Sequence, residues 1–203
     1  PEQLVALDAT EVARTLGQDP DHELMALFAR SLNDLGARVQ ERGGFHAVVR
    51  HAGDSAVALA TQLSQWDCFS DVSTYDGRPV PFYKRAQIAA ADLARAGVYA
   101  PHDLGRLTMF ADNLVPHVLR LDGILDFDPA LVARIDDEQP IEHGSPEEVE
   151  IRACALHAVE LIVAALGEWD SITAAAVDQY LWNKGRQARY KASPRHRSRC
   201  TAY

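Results

Sequence analysis

Residues 145–167 read SPEEVEIRACALHAVELIVAALG, and they carry a complete set of helix signals. Ser145 is a side-chain cap, Pro146 fits the first helical position where its missing N–H is not needed, and Glu148 stands where a capping box requires it. Gly167 supplies the stop. A run of this length between such signals is a helix, and its vocabulary recurs through the chain.

Toward the N-terminus, Asp8 as cap, Glu11 three residues on and Gly17 as stop bracket a short helix. A longer one is predicted to open at Asp19-Pro20, with Leu24, Phe28, Leu32, Leu35 and Val39 on one face, and to end at Gly43-Gly44. A third runs from Asp54 to Trp66. The helical period then breaks, and Asp76-Gly77 between short β-type runs predicts a tight hairpin. Another helix begins in YKRAQIAAADLARAG, residues 83–97. The stretch DLGRLTMFADNLVPHVLRL, residues 103–121, reads as a helix apolar at Leu107, Phe110, Ala111, Leu114 and Val118 and kinked by Pro116. Asp128-Pro129 starts a short helix, and Ser171 is the expected cap of the last one. Roughly seven or eight helices with at most one small hairpin define an all-α class, in a single helical domain over residues 1–203.

Composition narrows the function classes. The 203 residues are 47% hydrophobic, enough for a real core, and no apolar run approaches the ~20 residues of a membrane helix. No secretory pattern opens the chain, and Cys68, Cys154 and Cys200 lack disulfide or zinc spacing, so a cytoplasmic location with reduced thiols is expected. The first residue is Pro1, which is expected of a processed chain or a fragment. The net charge is −9, yet Lys184–Tyr203 holds seven of the twenty Lys/Arg and no acid, leaving a balance of −16 elsewhere. Such a body disfavours broad duplex binding, and no stable nucleic-acid complex is expected.

Three clusters hold chemistry. Asp112 sits among Met109, Phe110, Leu114 and Val115, where a carboxylate is paired, solvated through a cleft, or held at a raised pKa. It either bonds a helix end or arginine, or is a poised catalytic group. Phe82, Tyr83, Lys84, Arg85 and Gln87 crowd cations at a helix start, a position that favours anions, so either a bound anion or an interhelical ion pair accounts for them. The tail alternates His196, Arg197, Ser198 and Arg199, as a solvated string or an anion grip. Glu147, Glu148 and Glu150 serve the helix start, with Glu150 and Arg152 able to reach inward. His157 and Glu160 lack a further ligand for a metal. There is no phosphate-binding loop and no nucleophile elbow.

The blocks FSD (69–71), GxxVPFYKRAQI (77–88), LTMFADxxVP (107–116), GSxEExEIRA (144–153), LW (181–182) and HRxR (196–199) occur in one order, and together they resemble the queuosine salvage protein family, the queuosine 5′-phosphate N-glycosylase/hydrolases. The resemblance covers Leu4 to Tyr203. It implies a helical fold like that of DNA glycosylases, cleavage of queuosine 5′-monophosphate to queuine and ribose 5-phosphate, and Asp112 as the catalytic acid, without metal or organic cofactor. On this reading Lys84 and Arg85 meet the phosphate, with His196, Arg197 and Arg199 as second candidates. Tyr83, Phe110 and Trp182 offer flat surfaces to ribose and base. Asn113 and Asn183 complete the candidate contacts, although Asn183, Lys184 and Arg195 depart from residues usual in the family. Members carry a further segment before the part matching Leu4, so a companion N-terminal segment is expected to share the pocket. The rival class is a non-catalytic tRNA- or nucleotide-binding module, and a third reading makes every motif a packing feature of a helical scaffold.

Overall fold

The computed structural model describes residues 1–167 and 172–203. The chain begins with helices α1 (Glu2–Val5), α2 (Ala9–Leu16), α3 (Glu23–Glu41), α4 (Phe45–His51) and α5 (Ala56–Leu63). Asp8 caps α2 by accepting the Glu11 N–H, and Gly17 ends it at φ 64, the left-handed region that lacks a Cβ penalty only for glycine. Helix α3 starts after the Asp19-Pro20 signal because the Asp19 carboxylate is engaged by the Asp21 N–H, so His22 becomes the cap. The hairpin follows, β1 (Val72–Tyr75) antiparallel to β2 (Arg78–Pro81), with Val72 opposite Pro81 and Tyr75 opposite Arg78. Asp76 and Gly77, at φ 48 and 70, make the expected two-residue turn.

Helix α6 (Lys84–Arg95) comes next, but the helix predicted over 103–121 does not form as drawn. One 3-10 turn at Leu104–Arg106 is followed by extended chain, and α7 (Leu114–Leu121) starts only after Asp112 and Asn113. The reason is a period of two: Leu107, Met109 and Ala111 are buried while Thr108, Phe110 and Asp112 are half-buried. Pro116 lies in the first turn of α7, where its absent N–H has no intrahelical partner to lose, so it does not interrupt the helix.

Helices α8 (Pro129–Asp136), α9 (Pro146–Leu166), α10 (Ala174–Gly185) and α11 (Ala188–Lys191) complete the set. Asp128 and Ser145 cap α8 and α9 as expected. Glu148 departs from the capping box: its Oε2 accepts the Gly144 N–H at 3.1 Å, and the rest of its carboxylate turns inward. The cap expected at Ser171 lies outside the described residues; Thr173 caps α10 through the Ala176 N–H.

Two cores result. One joins Phe82, Met109 and Ala111 with α7, α9 and α10; the other joins Leu107 with α3, α5 and α6. The extended segment 107–112 therefore runs along the seam between them. Helices α10 and α7 touch at Gly185, where a Cβ would stand 2.8 Å from Leu114 Cγ and 2.9 Å from Val118 Cγ2. Gly185→Ala is expected to lower stability by about 1 kcal/mol in a denaturant titration, because overpacking by ~1–3 kcal/mol exceeds what alanine gains in a helix.

No described helix is long and apolar enough to cross a membrane. The basic tail is not a solvated string. Its backbone is pinned at Arg197, whose carbonyl accepts the Ile141 N–H at 2.8 Å, and at Pro194, whose carbonyl accepts from Arg120 at 3.1 Å.

Candidate active site

Asp112 closes the extended segment at the seam. Its Oδ1 accepts the N–H of Leu114 at 2.8 Å and of Val115 at 3.1 Å, so the carboxylate rests on the N-terminus of α7. Free amides and the helix dipole stabilise the charge there. The helix-end role foreseen for this residue is thus real, and both bonds fall on one oxygen.

Asp178 faces the same seam from α10. It is buried, and its Oδ1 accepts the Phe110 N–H at 3.2 Å. Burial, and then the negative charge of Asp112, push its carboxyl up to about 7, against smaller opposing pulls from the Phe110 N–H and then from Lys84. Sequence reading missed Asp178, although the signal was present: with Ala174, Val177 and Leu181 it falls on the inward stripe of α10.

At the start of α6 the backbone amides, not the cationic side chains, have their anion within the chain. Tyr83 adopts a left-handed conformation, φ 51 and ψ 33, which turns three successive amides toward Asp71. The Asp71 carbonyl accepts the N–H of Phe82 at 3.0 Å and of Tyr83 at 3.2 Å, and Asp71 Oδ2 accepts that of Lys84 at 3.0 Å. The backbone nest is therefore occupied, and any external anion meets side chains. Lys84 and Arg85 line a cleft of about 380 Å³ with Leu24, Phe28, Cys200 and Tyr203. Arg85 also donates to the Thr201 carbonyl at 3.2 Å. Gln87 is structural: it exchanges hydrogen bonds with Thr108 and ties α6 to the extended segment.

Behind these groups lies a buried ionic network centred on Arg152. Its Nη2 and Nη1 donate to Asp71 Oδ2 and Oδ1 at 2.7 and 3.0 Å, and its Nε donates to the Ala111 carbonyl at 3.0 Å. The guanidinium lies between two rings, 3.9 Å from the Phe82 centroid and 4.7 Å from that of Tyr203. Glu148 accepts from Arg152 at 3.5 Å and from the Tyr203 hydroxyl at 2.7 Å. Burial and the Glu148 carboxylate raise the Tyr203 phenol, which stays a neutral donor. Arg152 reaches inward as expected. Glu150 does not, its carboxylate accepting from the Tyr75 hydroxyl at the surface.

The remaining candidates are dispersed. Phe110 joins the group through its N–H, and Trp182 lies one turn beyond Asp178 on α10, half-exposed, its ring 5.2 Å from the Arg186 guanidinium. Asn183 is exposed beside it. Asn113 donates to the His196 carbonyl at 3.3 Å and so anchors the tail. His196 is buried, and burial lowers its pKa to about 4, so at neutral pH it is uncharged and does not serve as a phosphate cation. Arg197 pairs with Glu138 at 2.8 Å and Arg199 with Glu23, both at the surface. Among the described residues no three His, Cys, Asp or Glu side chains converge as a metal site.

The seam of this helical protein thus carries two carboxylates, Asp112 on the α7 amides and Asp178 at the Phe110 N–H. A family model described as queuosine salvage protein matches residues 1–203. Relatives named queuosine 5′-phosphate N-glycosylase/hydrolase include that of Sphaerobacter thermophilus, 39% identical over 98% of this chain and 64% of the relative. Those of Mus musculus and Bos taurus are each 33% identical, over 86% and 98% of this chain and 56% and 64% of the relatives. The chain belongs to the queuosine salvage protein family, and it spans somewhat less than two thirds of the length of these relatives.

Proposed function

We propose that this chain carries the site that hydrolyses the N-glycosidic bond of queuosine 5′-monophosphate, releasing queuine and ribose 5-phosphate for queuine salvage in the cytoplasm. The observation that carries the reading is Asp178 Oδ1 at the Phe110 N–H, two residues before Asp112 on the same segment, so that the charge of Asp112 helps raise the Asp178 carboxyl. Breaking the bond from C1′ to the base nitrogen places positive charge on the ribose and electrons on the base. A carboxylate beneath the ribose favours the transition state more than the ground state. Asp112 fills that role as an ion or as a nucleophile, its idle oxygen turned to the sugar. Asp178, held near its protonation point, donates a proton to the departing base, and the water that then adds hydroxide to C1′ returns its proton to Asp178.

Lys84 and Arg85 would take the phosphate by side chain, since Asp71 holds the amides of residues 82–84. Tyr83 and Phe110 flank the same seam, packed against the second core, and present rings to ribose and base. The three free cysteines suit a reducing compartment.

Steady-state kinetics on queuosine 5′-monophosphate and on queuosine test the reading. A charge-assisted contact contributes about 1.5–3 kcal/mol, so the monophosphate is expected to be cleaved on the order of tenfold to a hundredfold faster in kcat/KM, with Lys84→Ala eroding that preference. Equal kcat/KM for both substrates would remove the phosphate assignment. A nucleotide- or tRNA-binding module without catalysis would release no queuine and would bind with steep salt dependence.

A further inference from the structure

We infer that Arg152 is a positioning residue that fixes the spacing between Lys84 and Asp112. The inference rests on the function proposed above and adds a device to it. Arg152 and Glu148 are fully inaccessible and Asp71 is nearly so, which stability alone does not explain: a buried ion pair replaced by well-packed apolar groups is often no less stable. What the guanidinium provides is direction. Its planar fork sends one pair of N–H groups to Asp71 and the Nε–H to Ala111, while the Phe82 and Tyr203 rings confine its plane from both faces.

Both ends of this brace are one step from the site. The Asp71 oxygen that accepts from Arg152 Nη2 also accepts the Lys84 N–H, and the Ala111 carbonyl directly precedes Asp112. Phe82 precedes Tyr83, and Tyr203 lines the cleft that Lys84 and Arg85 line. The path Lys84, Asp71, Arg152, Ala111, Asp112 thus links the side of the site assigned to phosphate with the side assigned to the sugar. It spans segments 81 residues apart in sequence. With the brace intact, binding energy from the phosphate is converted into alignment of C1′ over Asp112. With it loosened, the phosphate still binds, but an ångström of play separates binding from chemistry.

Arg152→Lys keeps the charge and loses the fork. It is expected to lower kcat for queuosine 5′-monophosphate about tenfold or more with little change in KM, since misplacement by about 1 Å can cost a hundredfold. The distinguishing readout is a double-mutant cycle with Lys84→Ala. In the wild-type background Lys84→Ala is expected to cost at least about tenfold in kcat, and in the Arg152→Lys background about threefold or less in kcat, the remaining cost appearing in KM. A residue that acts only on stability leaves the Lys84→Ala factor unchanged, because it scales the amount of active protein. Circular dichroism and thermal melting establish that each variant is folded. Should Arg152→Lys fail to fold, Tyr203→Leu removes one confining ring while leaving the fork, and a reduced Lys84→Ala factor is expected there too. An unchanged factor in the variants that fold, or failure of both to fold, overturns the inference. If wild-type protein releases no queuine, the proposed function falls, and this inference with it; active wild-type protein with an additive cycle overturns the inference alone.

Discussion

Asp112→Asn is expected to fold as the wild type does and to release base more slowly by a factor on the order of 10³. The two consequences separate because the observed cap and the proposed chemical task rest on different properties of the side chain. As a cap, it accepts the Leu114 and Val115 N–H groups through one oxygen, and an asparagine carbonyl accepts them equally well. As the partner of a developing ribosyl cation it needs a full negative charge, which the amide lacks. Asp112→Ala loses both, so it is expected to lose about 1 kcal/mol of stability as well as activity. Single-turnover release of queuine alongside thermal melting reads both quantities. Turnover of the asparagine variant within tenfold of wild type would take Asp112 out of the chemistry and leave it a helix cap.

How much of this was legible depends on the range of the interactions. Caps and turns are local, so Asp8, Asp128, Ser145 and the Asp76-Gly77 hairpin could be read from neighbours a few residues away. Residues 107–112 could not, because LTMFAD is apolar at both periods; only packing against two cores selects the alternation that buries Leu107, Met109 and Ala111. The anion at the start of α6 is likewise a long-range fact. Sequence reading asked for an anion to meet the Lys84 and Arg85 side chains, and the fold instead brings Asp71, from just before β1, to the backbone amides there, balanced by Arg152 from α9. The tail misled for the same reason. Its composition reads as solvated, yet His196 and Ala202 are buried, and Tyr203 reaches Glu148 inside. Of the phosphate candidates, Lys84 and Arg85 face the cleft, while Arg197 and Arg199 are held by surface carboxylates in ion pairs that contribute little.

Asp178→Asn is expected to lower kcat/KM about 10²- to 10⁴-fold and to abolish an alkaline limb that is expected in the wild-type profile with an apparent pKa of about 7. The limb follows from the role: a donor to the leaving base works only while protonated, and burial beside Asp112 keeps this carboxyl protonated up to about 7. The same shift has a consequence for stability whose sign is opposite to that of an ordinary salt-bridged acid. The folded pKa lies above the unfolded value of 3.8, so the stability from this group is fully present below 3.8 and is lost as pH rises through about 7. His196 acts the other way: its pKa falls from 6.5 to about 4 on burial, so its contribution is full above 6.5 and lost as pH falls toward 4. Between pH 4 and 6.5 the two oppose each other, and above 6.5 only Asp178 still titrates. The asparagine variant removes one of the two opposing slopes. It should therefore melt higher than wild type relative to its own value at pH 5 when both are taken to pH 8, and lose stability more steeply on acidification. Melting temperatures of the two proteins across pH 4 to 8, with pH–rate profiles on queuosine 5′-monophosphate, test both halves at once. Parallel melting curves and an unchanged alkaline limb would mean that some other group titrates near 7; the seam would then hold one working carboxylate rather than two.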